Sequence, residues 1–312
     1  MDTIRIGTRG SALALWQARH VADLLQQGGF ATEIVTIETR GDKILDRSLS
    51  KIGSKGVFTA ELEEALHNGN IDIAVHSAKD LPSELPDGLE IIAFTERERV
   101  NDVLVSLKPG FGIADGRPWV IGTSSTRRVA MLRHYHPHLR TADMRGNLQT
   151  RMRKLEEGHC DALLLAYAGV HRMGYDGHIA AYLPTSQFTP AVGQGSVAVE
   201  AAVSLPFDKN EAVRQLVNHP DTELCLRAER AFLHRLQGGC SIPSFALATL
   251  DVAQDTVSVR AGLVSLDGQR LIDRTGTVPS EQATELGRRL AEEILQAGGA
   301  EILREIRATS DV

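Results

Sequence analysis

The chain has 312 residues, enough for two or three domains that each bury a core of their own. Hydrophobic residues make up 42% of it and charged residues 24%, which is typical of a globular protein and excludes a disordered chain. The formal net charge of -6 excludes the broad positive field of a nucleic-acid binder. Without a signal peptide or a membrane-length apolar run, the sequence predicts a cytoplasmic protein that does not contact a membrane.

The first predicted elements are a strand at residues 4–7, a polar turn and a helix that Ser11 caps and Gly28 ends. The pattern predicts that the helix buries five apolar side chains, Leu13, Trp16, Val21, Leu24 and Leu25. The letters IGT at the end of this strand recur at the end of a second predicted strand, residues 119–122, which is also followed by a polar turn and a helix. The repeat is consistent with two similarly folded domains, although two short strings can also match by chance.

Further alternation of strands and helices predicts an α/β protein with two similar domains, each built on a mostly parallel sheet. The strands are expected at 71–75, 89–94 and 162–166, and the helices at 60–68 and 148–157. The pattern changes after Pro220 and predicts a small α+β third domain. This domain is expected to contain a helix that ends at Gly238, strands at 245–252, 257–266 and 269–278, and a long helix at 280–297.

Arginines concentrate in Gly/Ser/Thr-rich segments beside the apolar runs, and they are Arg9, Arg127, Arg128, Arg145 and Arg151. A guanidinium group pairs bidentately with carboxylate or phosphate, and backbone N–H groups at a helix start attract the same anions. The pattern therefore predicts a small, enclosed ligand with several negative charges. For Arg127 and Arg128, which follow Ser125 at a predicted helix start, an alternative is that both are solvated surface side chains.

The segment AVHSAKDLP leaves a predicted strand and brings polar side chains to its carboxyl end, where open α/β sheets bind ligands. Asp80, among cationic groups, is expected to stay ionised and to stabilise a developing positive charge. Alternatively, Asp80 caps the turn before Pro82. We expect His76 to be structural, hydrogen-bonded near the strand end.

Three cysteines are too few for a disulfide framework, and their spacing predicts no metal site. Cys240 lies in the loop GGCSIP, where neighbouring glycines let a bulky group approach, so it could be a covalent attachment point. It could equally be a small apolar residue in a turn, as we expect for Cys160 and Cys225 in their apolar contexts.

Residues 43–56 have glycines, serines and four basic side chains but no regular period. We interpret them as a mobile loop that brings Lys51 and Lys55 over a bound anion, with an ordinary solvated loop as the alternative.

Seven segments in the same order resemble the porphobilinogen deaminase family, also called hydroxymethylbilane synthases, along essentially the whole chain. They are TRGSALALWQA, TRGDKILD, HSAKDLP, GTSSTRR, RGNLQTR, PAVGQG and GGCSIP. The resemblance implies a transferase of tetrapyrrole, porphyrin and heme biosynthesis that joins four porphobilinogen molecules head to tail and releases ammonia at each step. It also implies a covalently bound dipyrromethane cofactor, on which the product grows, and two domains arranged as in periplasmic binding proteins.

The resemblance implies roles for individual residues as well. Asp80 matches the catalytic carboxylate, and Cys240 matches the thiol that carries dipyrromethane. Other cofactor contacts are expected from Ser11, Lys79, Asp80, Ser125, Arg127, Arg128 and Arg145, and substrate contacts from Arg9, Arg145, Arg151, Arg172 and Lys55. The expected domains are 1–95 with 196–215, then 96–195, then 216–312, in a monomer that binds no nucleic acid and no metal.

The chain departs from the family pattern at Ala201-Ala202, where many members have Cys-Arg. Two other classes of function remain open at this point. One is a non-enzymatic anion-binding or effector-sensing protein, which would need the arginines but neither Asp80 nor a covalently modified Cys240. The other is a thiol hydrolase that uses Cys240, although no histidine lies in an obvious partnering motif.

Overall fold

A computed structural model describes residues 3–43, 59–239 and 241–310 of the chain. Most of the predicted loop 43–56, with Lys51 and Lys55, lies outside the described residues, and so does Cys240. The described part contains two five-stranded sheets and one three-stranded sheet. Within it, no helix has the length and apolar character needed to cross a membrane.

The first sheet combines four strands from the beginning of the chain with one from much later. The strands are β1 (Ile4–Thr8), β2 (Thr32–Thr36), β3 (Ile73–Ser77), β4 (Leu89–Phe94) and β10 (Val197–Ala202), in the spatial order β2-β1-β3-β10-β4. β1 is parallel to β2 and β3, whereas β10 runs antiparallel to both of its neighbours. The helices beside this sheet are α1 (Ala12–Gln27), the short α2 (Arg40–Lys43), α3 (Ala60–His67) and α7 (Phe207–Val217). One apolar cluster joins α1 and α7 to one face of this sheet, and α3 packs on the opposite face of the sheet.

The second sheet repeats this arrangement. Its strands are β5 (Asp102–Val105), β6 (Val120–Gly122), β7 (Arg140–Ala142), β8 (Ala162–Ala166) and β9 (Ile179–Tyr182), in the order β7-β6-β8-β5-β9. β6 is parallel to β7 and β8, and β5 is antiparallel to β8 and β9. The accompanying helices are α4 (Thr126–Tyr135), α5 (Leu148–Glu156) and α6 (Tyr167–Arg172).

The two sheets have the same strand arrangement. In each sheet, the one antiparallel strand (β10 in the first, β5 in the second) is the strand that the chain forms immediately after it crosses over from the other sheet. The repeated IGT strings end the equivalent strands β1 and β6, so they occupy matching places in the two sheets. The predicted α/β class with two mostly parallel sheets is therefore confirmed. The residue boundaries that we assign to the three domains stay a prediction.

The third unit is a three-stranded antiparallel sheet covered by helices, as the α+β prediction requires. Its elements are α8 (Pro220–Arg235), β11 (Ser244–Asp251), β12 (Thr256–Val264), β13 (Leu271–Pro279), α9 (Ala283–Ile294) and α10 (Ala300–Ser310). The helix predicted over 280–297 is confirmed, because residues 280–297 are helical throughout, but the prediction missed α10. Gly298 has a left-handed backbone (φ 107°), which interrupts the helix and allows α10 to start in a new direction.

The buried face of α1 is rotated from the predicted one. Val21 and Leu25 are fully buried, but the more amino-terminal part of the helix buries Ala14, Gln17 and Ala18 instead of Leu13 and Trp16. Small side chains at these positions let the helix lie close to β3. The larger Trp16 stays half-buried and stacks on His20 with a centroid distance of 5.3 Å.

Glu229 of α8 joins the third unit to both segments that cross between the first two sheets. Its carboxylate is fully buried and pairs with Arg97 of the first crossing at 2.5 Å. It also accepts hydrogen bonds from the backbone N–H of Gly193 in the second crossing, at 2.9 Å, and of Ala248 in β11, at 2.8 Å. A buried carboxylate needs this number of donors to offset its lost hydration. All three sheets are thus held at one point.

Candidate active-site cleft

A cleft lies at the carboxyl ends of β1 and β3. Because these neighbouring strands are parallel, the segments that follow them meet at the same edge of the sheet. The cleft is lined by Arg9, Ser11, Leu13, Ala14, Gln17, Thr59, Val75, His76, Ser77 and Asp80. Ser11 caps α1 by accepting a hydrogen bond from the Ala14 N–H at 3.2 Å, as predicted.

Asp80 ends a short 3-10 helix, Ala78–Asp80, that follows β3 directly. Its side chain is partly buried and accepts no hydrogen bond from any described residue. The alternative role as a turn cap before Pro82 therefore has no supporting contact. A carboxylate that lines a cleft without a hydrogen-bonding partner is available to a ligand.

Lys79 precedes Asp80 and is also partly buried, and its ammonium group donates no hydrogen bond to a described residue. Burial lowers its pKa to about 8, partly offset by the negative charge of Asp80, while the nearby positive charge of Arg128 acts in the same direction as burial. The side chain is therefore a cation below that pH and neutral above it.

Arg127 and Arg128 are buried in α4, with exposed fractions of 4% and 6%, which excludes solvated surface side chains. Both guanidinium groups pair at 2.8 Å with opposite oxygens of Asp102, the fully buried first residue of β5. Burial by itself would raise the pKa of Asp102, but the two arginines outweigh it and lower that pKa well below the usual range. These arginines thus already share an anion within the chain.

One carboxylate neutralises only one of the two guanidinium groups, so this triad keeps one unbalanced positive charge. Arg128 also donates to the Leu164 carbonyl at 3.2 Å, and Arg127 donates to the Thr189 carbonyl at 2.9 Å. The Nε atom of Arg127 is buried without a hydrogen-bonding partner. The charges of Arg127 and Arg128 act on Lys79, which connects the triad to the Asp80 side of the cleft.

Arg145 and Arg151 flank the turn that leads into α5. Arg145 has a buried Nη1 atom with no hydrogen-bonding partner in the part of the chain that the structure describes, and Arg151 donates from Nε to the Gly146 carbonyl at 2.8 Å. Burial lowers the pKa of Arg151 to about 10; the charge of Arg128 acts in the same direction, and that of Asp80 opposes it. Arg151 therefore lies within electrostatic reach of both sides of the cleft, and the buried nitrogen of Arg145 requires an anion or water.

Two other predicted residues are placed differently. Ser125 begins α4, but its hydroxyl makes no capping hydrogen bond, which leaves that group available to a ligand. Arg172 donates to the Gly195 carbonyl at 2.8 Å, and its guanidinium lies 5.1 Å from the ring centre of Trp16. The structure therefore joins Arg172 to α1 rather than to the Arg128 and Asp102 cluster.

Family comparison identifies the chain over nearly its whole length. Residues 4–205 match the porphobilinogen deaminase family described as the dipyrromethane cofactor binding domain, and residues 223–296 match the family's C-terminal domain. The chain belongs to the porphobilinogen deaminase family. A porphobilinogen deaminase of Desulfosudis oleivorans is 55% identical over 97% of this chain and 98% of its own length. That of Cytophaga hutchinsonii is 56% identical over 98% and 97%.

Among solved structures, the periplasmic VFT2 domain of Bordetella pertussis BvgS aligns with 69% of this chain and 86% of its own. The sequence identity is 16% and the TM-score is 0.42. The aliphatic sulphonate binding protein SsuA of Escherichia coli aligns with 76% of this chain and 71% of its own, at 15% identity and a TM-score of 0.40. The family assignment rests on the sequence matches and not on these structures.

This member of the porphobilinogen deaminase family contains buried charged residues that the sequence analysis missed. Asp102 and Gln194 complete the arginine cluster, with a hydrogen bond of 2.9 Å between them. Glu200 pairs with His76 next to the end of β3, where the Nε2 atom of His76 is 3.0 Å from the Oε2 atom of Glu200, although this contact lacks the geometry of a hydrogen bond. An acidic residue inside an apolar strand, as in DVLV and VAVEAA, is the signal that could have identified Asp102 and Glu200.

Two of the three cysteines of this porphobilinogen deaminase family member have buried, unreactive thiols. Cys160 and Cys225 are free and buried, and burial raises the pKa of both thiols to about 11. Neither thiol is poised for a covalent bond near neutral pH. In the described ranges, no group of three His, Cys, Asp or Glu side chains could hold a metal ion.

Proposed function

We propose that the chain condenses four porphobilinogen molecules head to tail into hydroxymethylbilane, with release of one ammonia at each step. It is a transferase of tetrapyrrole biosynthesis with a dipyrromethane cofactor. The observation that carries this proposal is the carboxylate of Asp80, which has no hydrogen-bonding partner among the described residues and lines a cleft within electrostatic reach of Lys79 and Arg151. A purely anion-binding protein would gain nothing from an anionic side chain at this place.

The cationic groups fit a ligand that carries many carboxylates. Each pyrrole unit brings an acetate and a propionate side chain, so each condensation adds two negative charges. A charge pair 4 Å apart near a protein surface contributes about 4 kcal/mol before the cost of desolvation. The buried, unpartnered nitrogen of Arg145 and the surplus charge of the Arg127, Arg128 and Asp102 cluster supply such partners.

We assign the contacts as the sequence predicts them. The cofactor is held by Ser11, Lys79, Asp80, Ser125, Arg127, Arg128 and Arg145, and the substrate by Arg9, Arg145, Arg151, Arg172 and Lys55. Arg127 and Arg128 act through the one positive charge that Asp102 leaves unbalanced. Arg172 acts from its position over Trp16, at the α1 side.

Asp80 performs the electrostatic work of each condensation. When ammonia leaves porphobilinogen, the remaining methylene-pyrrolenine is electron-poor, and the Asp80 carboxylate stabilises the positive charge near its ring nitrogen. The cofactor, when bound, supplies the free α-carbon on which the product grows. Lys79 and the arginines hold the carboxylates, so that the reacting carbons stay close together.

We propose Cys240 as the thiol that carries dipyrromethane. The pKa values of about 11 at Cys160 and Cys225 support this choice, because those thiols are protonated and buried at neutral pH. The protein is proposed to be a cytoplasmic monomer that does not bind nucleic acid, which agrees with its sequence pI of about 6.0.

The proposed reaction is tested by incubating the purified protein with porphobilinogen and measuring ammonia and bilane together. We expect four ammonia molecules for each hydroxymethylbilane. Binding of porphobilinogen without ammonia release would instead identify an anion-binding protein, and inactivation by a thiol reagent without any bound chromophore would favour a thiol hydrolase.

The pKa of Lys79 predicts the pH dependence of substrate capture. Because the lowered pKa lies at about 8, the ammonium charge is present below that pH and is lost as the pH rises through it. We therefore expect kcat/KM for porphobilinogen to fall above pH 8, and Lys79→Arg to move this fall to higher pH because arginine stays charged. Lys209→Arg, at a lysine that pairs with Asp72, is the control and should leave the profile unchanged. An identical profile for Lys79→Arg and the wild type would contradict the assignment.

Substitutions of Arg128 and of Asp102 should have different effects on folding, which distinguishes the roles of the two residues. Arg128→Leu leaves Arg127 and Asp102 as a balanced pair, so the protein should fold but assemble little cofactor or stall early in elongation. Asp102→Asn leaves two buried guanidinium groups without a counter-charge and should cost about 3–5 kcal/mol of stability. Thermal unfolding and intact mass measure the two effects. Normal cofactor content and turnover in folded Arg128→Leu would show that Arg128 has only a structural role.

A further inference from the structure

A histidine and a glutamate form a buried pair at the floor of the cleft. His76 of β3 lines the cleft with Asp80, and its Nε2 atom lies 3.0 Å from Oε2 of Glu200 in β10. Their exposed fractions are 6% and 0%. One ring nitrogen thus contacts a buried carboxylate, and His76 is one of the residues that line the cleft.

Glu200 is costly to bury in this environment. Neither of its carboxylate oxygens accepts a well-directed hydrogen bond from a described residue, and Glu63 of α3 adds a second carboxyl group of the same sign nearby. The positive charge closest in effect is Arg230 of α8, apart from His76 itself when protonated. The Nε2 atom of His76 is the side-chain nitrogen that contacts this buried carboxylate.

We infer that His76, oriented and charge-balanced by Glu200, is the base that removes the α-proton at each condensation. This inference rests on the proposed function. After the methylene carbon of the incoming unit bonds to the terminal α-carbon, that carbon still bears its hydrogen. The C–H bond then breaks, its electron pair returns to the ring, and the proton moves to His76.

The proton balance closes without another reactant. Porphobilinogen enters with its aminomethyl group as an ammonium ion, and ammonia leaves with the bonding pair. The positive charge thus left on the ring is discharged as the α-proton, which His76 passes to water in the open cleft. Each turnover returns His76 to its neutral form and releases one ammonia and one proton.

A separate base gives Asp80 and His76 different tasks. Asp80 must remain negative while the ring is positive, and a proton taken by its carboxylate would remove that charge at the moment when it is needed. An imidazole can be neutral before the transfer and cationic after it, with Glu200 supplying the counter-charge. The charged groups that face this pair are Glu63, whose carboxyl interacts with both Glu200 and His76, and Arg230, whose charge interacts with Glu200, while Arg9 and Asp80 line the same cleft as His76.

The inference is tested with porphobilinogen that carries deuterium at its free α-carbon. In the wild type, we expect proton removal to be faster than the earlier steps and the isotope effect therefore to be small. His76→Asn should lower kcat by about a hundredfold with little change in KM, and should show a primary isotope effect because proton removal becomes limiting. Glu200→Gln, which keeps shape and loses charge, should show the same isotope effect with a smaller loss of kcat.

His67→Asn is the matched control, because His67 is an exposed histidine at the end of α3 and should behave as the wild type. A folded His76→Asn protein with reduced turnover and no isotope effect would reduce His76 to a structural role and overturn the inference. If His76→Asn does not fold, Glu200→Gln tests the inference in the same way: reduced turnover without an isotope effect would overturn it. Failure of the wild type to form bilane would instead refute the proposed function, so the two failures are distinguishable.

Discussion

Replacing Asp80 by Asn should lower kcat by about two orders of magnitude and affect binding less. Asn has nearly the same shape and can still accept a hydrogen bond from a pyrrole N–H, but it cannot offset a positive charge on the ring. Removal of one preorganised electrostatic partner typically costs this much. Because no described residue hydrogen-bonds to the Asp80 carboxylate, the substitution should leave the thermal stability unchanged. Steady-state turnover and thermal unfolding of the same preparation check both expectations.

Asp80→Glu keeps the charge and moves it by one methylene group, so it should retain more activity than Asp80→Asn and accumulate partly elongated chains. Asp87→Asn is the matched control, since it removes an exposed carboxylate a few residues further along the chain. If Asp80 instead capped its turn, Asn would be tolerated and the longer Glu would be worse. An active Asn variant beside an inactive Glu variant would therefore refute the catalytic assignment.

Protein purified from a cell that makes porphobilinogen should weigh more than its sequence by two linked pyrroles, and Cys240→Ser should lack this added mass. The hydroxyl of serine is a far weaker nucleophile than a thiolate, so the variant should turn over almost no substrate. The loop begins where Gln237 adopts a left-handed backbone (φ 49°) after α8, followed by Gly238 and Gly239. This turn ends the helix just before Cys240.

Cys160→Ala and Cys225→Ala serve as controls for the mass experiment. Both thiols are buried, and both variants should retain the added mass, although each opens a small cavity in a core. Intact mass under denaturing conditions separates covalent from bound cofactor. An unmodified mass in fully active wild type, or loss of the adduct in Cys160→Ala, would exclude Cys240 as the attachment point.

Local sequence patterns predicted the element types well because each strand and helix has a clear apolar period and end signals. The helix at 280–297 was predicted, but α10 was missed because the glycines after that helix can end it for good or allow a second helix to start. The inward face of α1 was misjudged. The spacing of large apolar residues indicated Leu13 and Trp16, but the close approach to β3 requires small side chains.

Those site residues that lie in polar segments directly after a strand could be predicted from the sequence. Asp80 and Lys79 follow β3 directly, and the arginines follow β6 and β7, so parallel topology brings them together. Asp102 could not be paired with Arg127 and Arg128 from the sequence, because that contact joins β5 to α4 across an antiparallel crossing. Whether a buried arginine faces a ligand or an internal carboxylate depends on such long-range contacts.

The crossing strands have a consequence for synthesis on the ribosome. All strands of the second sheet lie between Asp102 and Tyr182, whereas β4 of the first sheet pairs only with β10, which begins at Val197. After β4 is made, about a hundred residues must follow before its partner exists, which takes roughly 5–20 s at ordinary elongation rates. During this interval, the nascent chain exposes an apolar strand with an open edge. The second sheet, although later in the chain, is therefore the first that translation can complete.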